Sequence, residues 1–171
     1  MDKVSVVIPT YNRQHTLLRA VKSVLKQSYH AHEIIICDDG STDQSKEIIL
    51  QLNNTTIKWL DCGRNGMPAV PRNKGIQMAT GNWVAFLDSD DEWLPNKLEV
   101  QLNYMKQNKF QASSTNAFRI INNINQGPYF SSENKTISFT ELLALNYHIC
   151  SSVMVSLNTL KETSLFPEEV D

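Results

Sequence analysis

Trp83-Val84-Ala85-Phe86-Leu87-Asp88-Ser89-Asp90-Asp91 sets five apolar residues before three carboxylates that fall within four positions. Apolar on both faces, such a run fits an interior strand of a parallel sheet. Open α/β sheets keep their ligand crevice beyond the carboxyl ends of these strands. Three acids crowded there repel one another unless a cation sits among them. Oxygen donors with little sulfur or imidazole nearby suit Mg²⁺ or Mn²⁺, ions that usually bring a phosphate with them. A second reading is the start of a helix, where acids in the first turn are stabilising without any metal.

The segments before this run set its context. Val4-Ser5-Val6-Val7-Ile8 is β-branched and meets Pro9, which has no N–H to donate, so the first strand is expected to stop there. Leu17, Leu18, Val21, Val24 and Leu25 recur at helical spacing and predict a helix over 14–27. Glu33-Ile34-Ile35-Ile36-Cys37 reads as a second buried strand closed by Asp38-Asp39-Gly40-Ser41. A helix is predicted over 43–52, with Ser41, Thr42 or Asp43 able to cap it. Ile57-Lys58-Trp59-Leu60 makes a short third strand, and a helix over 69–79 ends at Gly81. The order β-α-β-α-β-α-β predicts an α/β fold, a mainly parallel central sheet flanked by helices.

Beyond Asp91 the pattern loosens. A helix is predicted over 94–107, with Pro95 near its start and Leu98, Leu102 and Met105 on one face. A strand over 112–121, a polar turn-rich segment over 122–134 and a short helix over 139–145 follow. A strand over 152–156 and a helix over 157–163 complete the order.

The chain has 171 residues, the size of one domain, with 41% hydrophobic and 20% charged residues. These are values of a soluble globular protein. A net charge of −2 and a pI near 6.1 provide no electrostatic case for a nucleic-acid partner. Cys37, Cys62 and Cys150 are widely spaced and form no Cys-x-x-Cys pair, so neither a zinc site nor a disulfide framework is expected. A reducing cytoplasm fits this usage. The first apolar run is too short for a signal peptide, and none approaches the ~18 to 20 residues of a membrane span. Peripheral association with the inner face of a membrane stays open, through segments outside this sequence.

In a parallel sheet the loops after the first, second and fourth strands share one rim. They carry Pro9-Thr10-Tyr11-Asn12-Arg13, Asp38-Asp39-Gly40-Ser41-Thr42-Asp43 and Asp88-Ser89-Asp90-Asp91. An aromatic ring can stack on a flat base, and a carboxylate can accept from a ring N–H or ribose hydroxyls. The third loop can hold a divalent ion on a diphosphate. Each loop alone also reads as an ordinary turn or cap. No Gly-x-Gly-x-x-Gly and no Gly-x-x-x-x-Gly-Lys-Ser/Thr occurs, which argues against a dinucleotide site and a P-loop. Phosphate charge then falls to metal and side chains, with Arg72 a candidate; its plainer reading is a solvated helical arginine.

Four ordered pieces carry a family resemblance. They are the run from Val4 to Asn12, the run from Ile35 to Asp43, Pro71-Arg72-Asn73-Lys74-Gly75-Ile76, and the run from Ala79 to Asp91. In this order and spacing the chain resembles the family 2 glycosyltransferases of GT-A fold, of the bacterial cell-surface polysaccharide type. The resemblance spans roughly residues 3–100. It implies transfer of a sugar from a UDP-sugar donor to a glycan or lipid-linked saccharide, with inversion and with Mn²⁺ or Mg²⁺. Carried over by position, Tyr11 would stack on the base, Asp39 would accept from its ring N–H, and Pro9 and Thr10 would line the same pocket. Arg13 and Ser89 join this nucleotide-binding set, and Arg72 would reach the base or diphosphate. Asp90 would be the main metal ligand and Asp88 would lie nearer the ribose and donor sugar. Asp91 would share the ion or cap the next helix.

The family's carboxylate general base is expected beyond residue 171, so residues 1–107 read as a donor-binding half and 108–171 as the start of an acceptor-side half. Glu168, Glu169 and Asp171 are read as a surface loop before it. A non-catalytic nucleotide-sugar-binding module is the alternative. A sugar nucleotidyltransferase ranks lower, because Pro9 to Arg13 is not its glycine-rich loop.

Overall fold

The apolar run Trp83–Phe86 lies at the centre of a six-stranded sheet. A computed structural model describes residues 2–131, 136–138, 141 and 148–168. In chain order the elements are β1 (Val4–Thr10), α1 (Leu17–Leu25), β2 (Glu33–Asp38), α2 (Ser45–Leu50), β3 (Ile57–Asp61), α3 (Ala69–Met78) and β4 (Trp83–Phe86). There follow α4 (Lys97–Asn108), β5 (Ala112–Ser114), β6 (Phe118–Ile121), β7 (Ile124–Pro128), β8 (Val153–Ser156) and α5 (Leu157–Lys161). The sheet order is β3-β2-β1-β4-β8-β5. β1 to β4 run parallel, while β8 is antiparallel to both β4 and β5.

β1 and β2 are buried along their whole lengths, as strands covered on both faces must be. Alternation splits their side chains between two cores. Val4, Val6 and Ile8 meet Leu17, Val21 and Val24 of α1 and Leu98, Leu102 and Met105 of α4. Val7, Ile35 and Cys37 face the other way, toward Ile76 of α3, Phe86 and Leu157. Each fully buried aliphatic side chain contributes about 2 kcal/mol through apolar surface removed from water. α3 lies unusually close to the sheet. A Cβ on Gly75 would stand 2.6 Å from Val7 Cγ1 and 2.7 Å from Cys37 Sγ.

A buried carboxylate ties together the amino ends of the parallel strands. Glu33 Oε1 accepts from Ser5 Oγ at 2.6 Å, Thr80 N at 2.7 Å and Thr80 Oγ1 at 2.8 Å, while Oε2 accepts from Lys58 Nζ at 2.6 Å. Burial pushes this carboxyl's pKa up. The bonds from Lys58, Ser5 and Thr80 outweigh it and hold the group at about 2, below its ordinary 4.5.

Pro9 does not end its strand: β1 continues to Thr10, with Pro9 opposite Cys37. Val7 O accepts from Leu87 N, so odd-numbered residues of β1 turn their backbone toward β4. β4 stops at Phe86, opposite Val7, and at Pro9 no ladder donor is needed on that side. The strand expected over 112–121 is two strands. β5 joins the main sheet, and β6 pairs with β7 in a separate hairpin where a turn-rich segment was expected. The two residues between Ile121 and Ile124 are Asn122 and Asn123, at φ 51° and 62°, the left-handed pair of a type I′ hairpin turn. The helix expected over 139–145 lies, apart from Glu141, outside the described residues. Among the described residues no helix is long and apolar enough to cross a membrane.

Two outcomes follow from this packing. Gly75→Ala should destabilise the fold by about 1–3 kcal/mol in urea unfolding, because overpacking against β1 and β2 outweighs alanine's better helix propensity. Glu33→Gln should cost about 2 kcal/mol near neutral pH. Because the folded-state pKa is depressed, this contribution is complete above the ordinary value of 4.5 and disappears as pH falls toward 2. Unfolding curves of parent and variant should therefore converge across that interval.

Candidate functional site

The loops after β1, β2 and β4 converge on one rim, as parallel strand order requires. The first two are held together by short-range bonds. Asn12, left-handed at φ 50°, donates its N–H to Ser41 Oγ at 2.9 Å and accepts from Thr42 N at 2.8 Å through Oδ1. Arg13 N donates to Ser45 Oγ at 2.9 Å and Gln14 N to Asp43 Oδ2 at 3.0 Å. Asp43 also accepts from Ser45 N at 3.0 Å, but the residue at the cap position of α2 is Gln44, so none of Ser41, Thr42 and Asp43 is its N-cap. Asp38 accepts from both Ser41 N and Ser41 Oγ and is spent on the turn. Its neighbour Asp39 faces a cleft of about 380 Å³.

Pro9, Thr10, Tyr11, Arg13, Asp39, Arg72, Asp88, Ser89 and Asp90 all line that cleft. Tyr11 and Asp39 are both in contact with Arg64. Asp39 Oδ1 accepts from Asn65 N at 2.8 Å and Asn65 Nδ2 at 3.0 Å, and Oδ2 accepts from Gly66 N at 2.9 Å and from Arg64. Burial pushes the Asp39 carboxyl up, but bonds from Asn65, Gly66 and Arg64 prevail and hold it below the usual carboxylate range. The Arg64 guanidinium lies over the Tyr11 ring, 3.9 Å from its centroid. Gly40, at φ 79°, lets the turn after Asp39 pass close beneath Arg64: a Cβ there would meet Arg64 N at 3.1 Å.

The acids after β4 are each engaged. Arg72 NH2 donates to Asp88 Oδ1 at 2.5 Å, and the arginine side chain is only 13% exposed, which excludes the solvated-helix reading of Arg72. Arg13 pairs with Asp90 at 3.3 Å, both half exposed. Asp91 turns away from the cleft. Its carboxylate accepts from Ser151 Oγ at 2.6 Å, and its pKa is raised by burial and by the charges of Asp88 and Asp90. It caps no helix either, since α4 begins six residues later at Lys97. The helix-start reading of this loop has no support in this arrangement.

Thr10 Oγ1 and Arg72 Nε are buried in the cleft wall without a hydrogen-bond partner among the described residues. Buried polar atoms of this kind are costly unless a ligand satisfies them. Among the described residues no group of three or more His, Cys, Asp or Glu could hold a metal. Mg²⁺ and Mn²⁺ need no such group where one or two carboxylates act with substrate phosphates, and Asp88 and Asp90 supply hard oxygen donors of that kind.

Sequence reasoning missed Arg64, Gly66, Met67, Pro68 and Pro71 of the cleft wall, and Ser151, whose Oγ also accepts from Asp88 N at 2.9 Å. The glycines bracketing Gly63-Arg64-Asn65-Gly66 were the available signal for a loop approaching a ligand. Of the late acids, Glu168 accepts from Asn73 Nδ2 at 2.7 Å, while Glu169 and Asp171 lie outside the described residues.

Comparison with known proteins matches this architecture. A family model described as glycosyl transferase family 2 matches residues 5–158. The UDP-Glc:alpha-D-GlcNAc-diphosphoundecaprenol beta-1,3-glucosyltransferase WfgD of Escherichia coli is 40% identical over 120 residues, covering 70% of this chain and 47% of that protein. WfaP, of the same description and organism, is 33% identical over 98% of this chain and 65% of its own length. The crystal structure of S. aureus TarS 1-349 in complex with UDP superposes with a TM-score of 0.75 at 25% identity, covering 97% of this chain and 50% of that one. The chain thus spans less than two thirds of the length of these relatives. With its mainly parallel sheet, converging loops and this match over most of its length, the chain has the GT-A fold and belongs to glycosyl transferase family 2.

Proposed function

We propose that the cleft binds the nucleotide diphosphate of a UDP-sugar, and that the protein of which this chain is part transfers the sugar to a glycan or lipid-linked saccharide acceptor. The observation that carries this reading is that one cleft is lined both by Tyr11 and Asp39, joined through Arg64, and by the acids Asp88 and Asp90. A base stacked on Tyr11 and hydrogen-bonded to Asp39 directs its diphosphate along the cleft toward Arg72 and the acids. The descriptions of WfgD and WfaP, which name UDP-Glc and a diphosphoundecaprenol-linked sugar, support the choice of donor and acceptor class.

Charge balance supports a divalent ion. The cleft wall brings Arg13, Arg64 and Arg72 against Asp90, Asp39 and Asp88, and each arginine is paired with one of these acids. A diphosphate adds negative charge that, among the described residues, no unpaired cation lining the cleft offsets. Asp88 and Asp90 would hold Mn²⁺ or Mg²⁺ with the phosphates. When bound, such an ion supplies Lewis-acid stabilisation of the departing diphosphate. Arg72 orients Asp88 through its NH2 group. A single displacement, with inversion, is the chemistry that the family resemblance implies and that we propose here. The base that takes the acceptor proton is assigned to none of the described residues.

UDP with Mn²⁺ should stabilise the chain by mass action, about 2.7 kcal/mol at a hundredfold excess over Kd. For a chain of this size that is a rise of roughly 5 to 10 °C in Tm. No shift at saturating ligand would remove the donor-site assignment. Asp90→Ala should leave the unliganded Tm close to the parent's, because the side chain is half exposed. It should weaken UDP binding in Mn²⁺ about tenfold or more, equivalent to ~1.4 kcal/mol, while leaving metal-free binding unchanged. Titration calorimetry with and without Mn²⁺ separates the two, and equal affinities for parent and variant would refute the ligand role of Asp90.

A further inference from the structure

We infer that the Arg64 guanidinium occupies the nucleobase position of the cleft when no nucleotide is bound, and that the base binds by displacing it. The inference rests on the donor-site reading above and concerns a residue outside its binding set. A guanidinium is flat, stacks on aromatic faces and presents N–H donors in its plane, the same features by which a pyrimidine base is held. Arg64 uses both: its Cζ lies 3.9 Å from the Tyr11 centroid, and NH1 donates to Asp39 Oδ2.

The hydrogen-bond inventory of Asp39 makes displacement necessary. A carboxylate offers about four lone-pair sites, and Asn65 N, Asn65 Nδ2, Gly66 N and Arg64 fill them. Three of these donors belong to a loop fixed in place. Asn65 and Gly66 donate through backbone N–H groups, and Asn65 Nδ2 is further tied to Cys62 O at 3.0 Å and Gly63 O at 2.8 Å. Only Arg64 donates from a long side chain, half exposed to solvent. A ring N–H therefore reaches Asp39 by replacing Arg64, and the ring face takes up the Tyr11 surface that the guanidinium covers. Gly66 adjoins the same spot, with the site of an absent Cβ 3.8 Å from Arg64 NH1, so no side chain there blocks the arginine's exit.

Arg64 then acts as an internal competitor that lowers apparent nucleotide affinity. This differs from a role as a phosphate-binding cation, in which its removal would weaken every phosphorylated ligand. The test is calorimetry of the parent, Arg64→Ala and Arg64→Lys with UDP, uridine and pyrophosphate, each in Mn²⁺. Loss of one partly exposed ion pair and one stacking contact predicts that Arg64→Ala binds UDP and uridine about tenfold more tightly than the parent. Arg64→Lys, which keeps charge without the planar fork, should fall between them. Pyrophosphate, which lacks a base, should gain nothing. If Arg64→Ala binds UDP and uridine equally or more weakly while the parent binds them, the displacement is refuted and the donor site stands. If neither protein binds UDP, the donor site itself falls, and this inference with it.

Discussion

Carboxylates gathered at the carboxyl rim of a parallel sheet must be neutralised, and this protein neutralises them one at a time. Asp39, Asp88 and Asp90 each take an arginine from a different segment: Arg64 after β3, Arg72 within α3 and Arg13 after β1. Asp91 instead accepts from Ser151 and has its pKa raised by burial and by the charges of Asp88 and Asp90. Like-charge repulsion within one small cleft would otherwise oppose the convergence of these loops. The pairing explains why the cleft is both polar and closely built.

The rest of the fold serves that convergence. Glu33 pins the amino ends of the strands with four hydrogen bonds, so their carboxyl ends emerge in register. Gly75 lets α3 settle onto β1 and β2, which carries Arg72, three residues earlier, to the rim beside Asp88. β8 inserts antiparallel between β4 and β5, and the 3-10 turn leading into it delivers Ser151 to the acidic loop. Strands from both halves of the chain thus share one sheet and support one cleft.

In the displacement proposed above, the Arg64–Asp39 pair is the one exchanged for a base. An arginine held by an acid at a half-exposed surface is a weak competitor, worth little in net energy and easily replaced. On that proposal Arg64 keeps the buried Asp39 compensated until a base replaces it. The orphaned Thr10 Oγ1 and Arg72 Nε mark where the protein alone leaves a polar requirement unmet.

What the sequence by itself determined was the class of fold and the rim on which function collects. Apolar strands alternating with amphipathic helices have one common packing solution, and the acids, Tyr11 and Arg72 fall at the strand ends and helix that this solution brings together. Local pattern was a poorer guide wherever a neighbour decided the outcome. Pro9 stays in β1 because β4 has already ended beside it, and the segment over 112–121 divides because Asn122 and Asn123 turn its second half into a hairpin. Only the tertiary structure assigned partners to the charges. Arg64 meets Asp39 across 25 positions of sequence and Ser151 meets Asp91 across 60, contacts that no spacing rule encodes. Strand order carries residues this far apart in the chain to one edge, and the need to compensate buried charge then selects which of them pair.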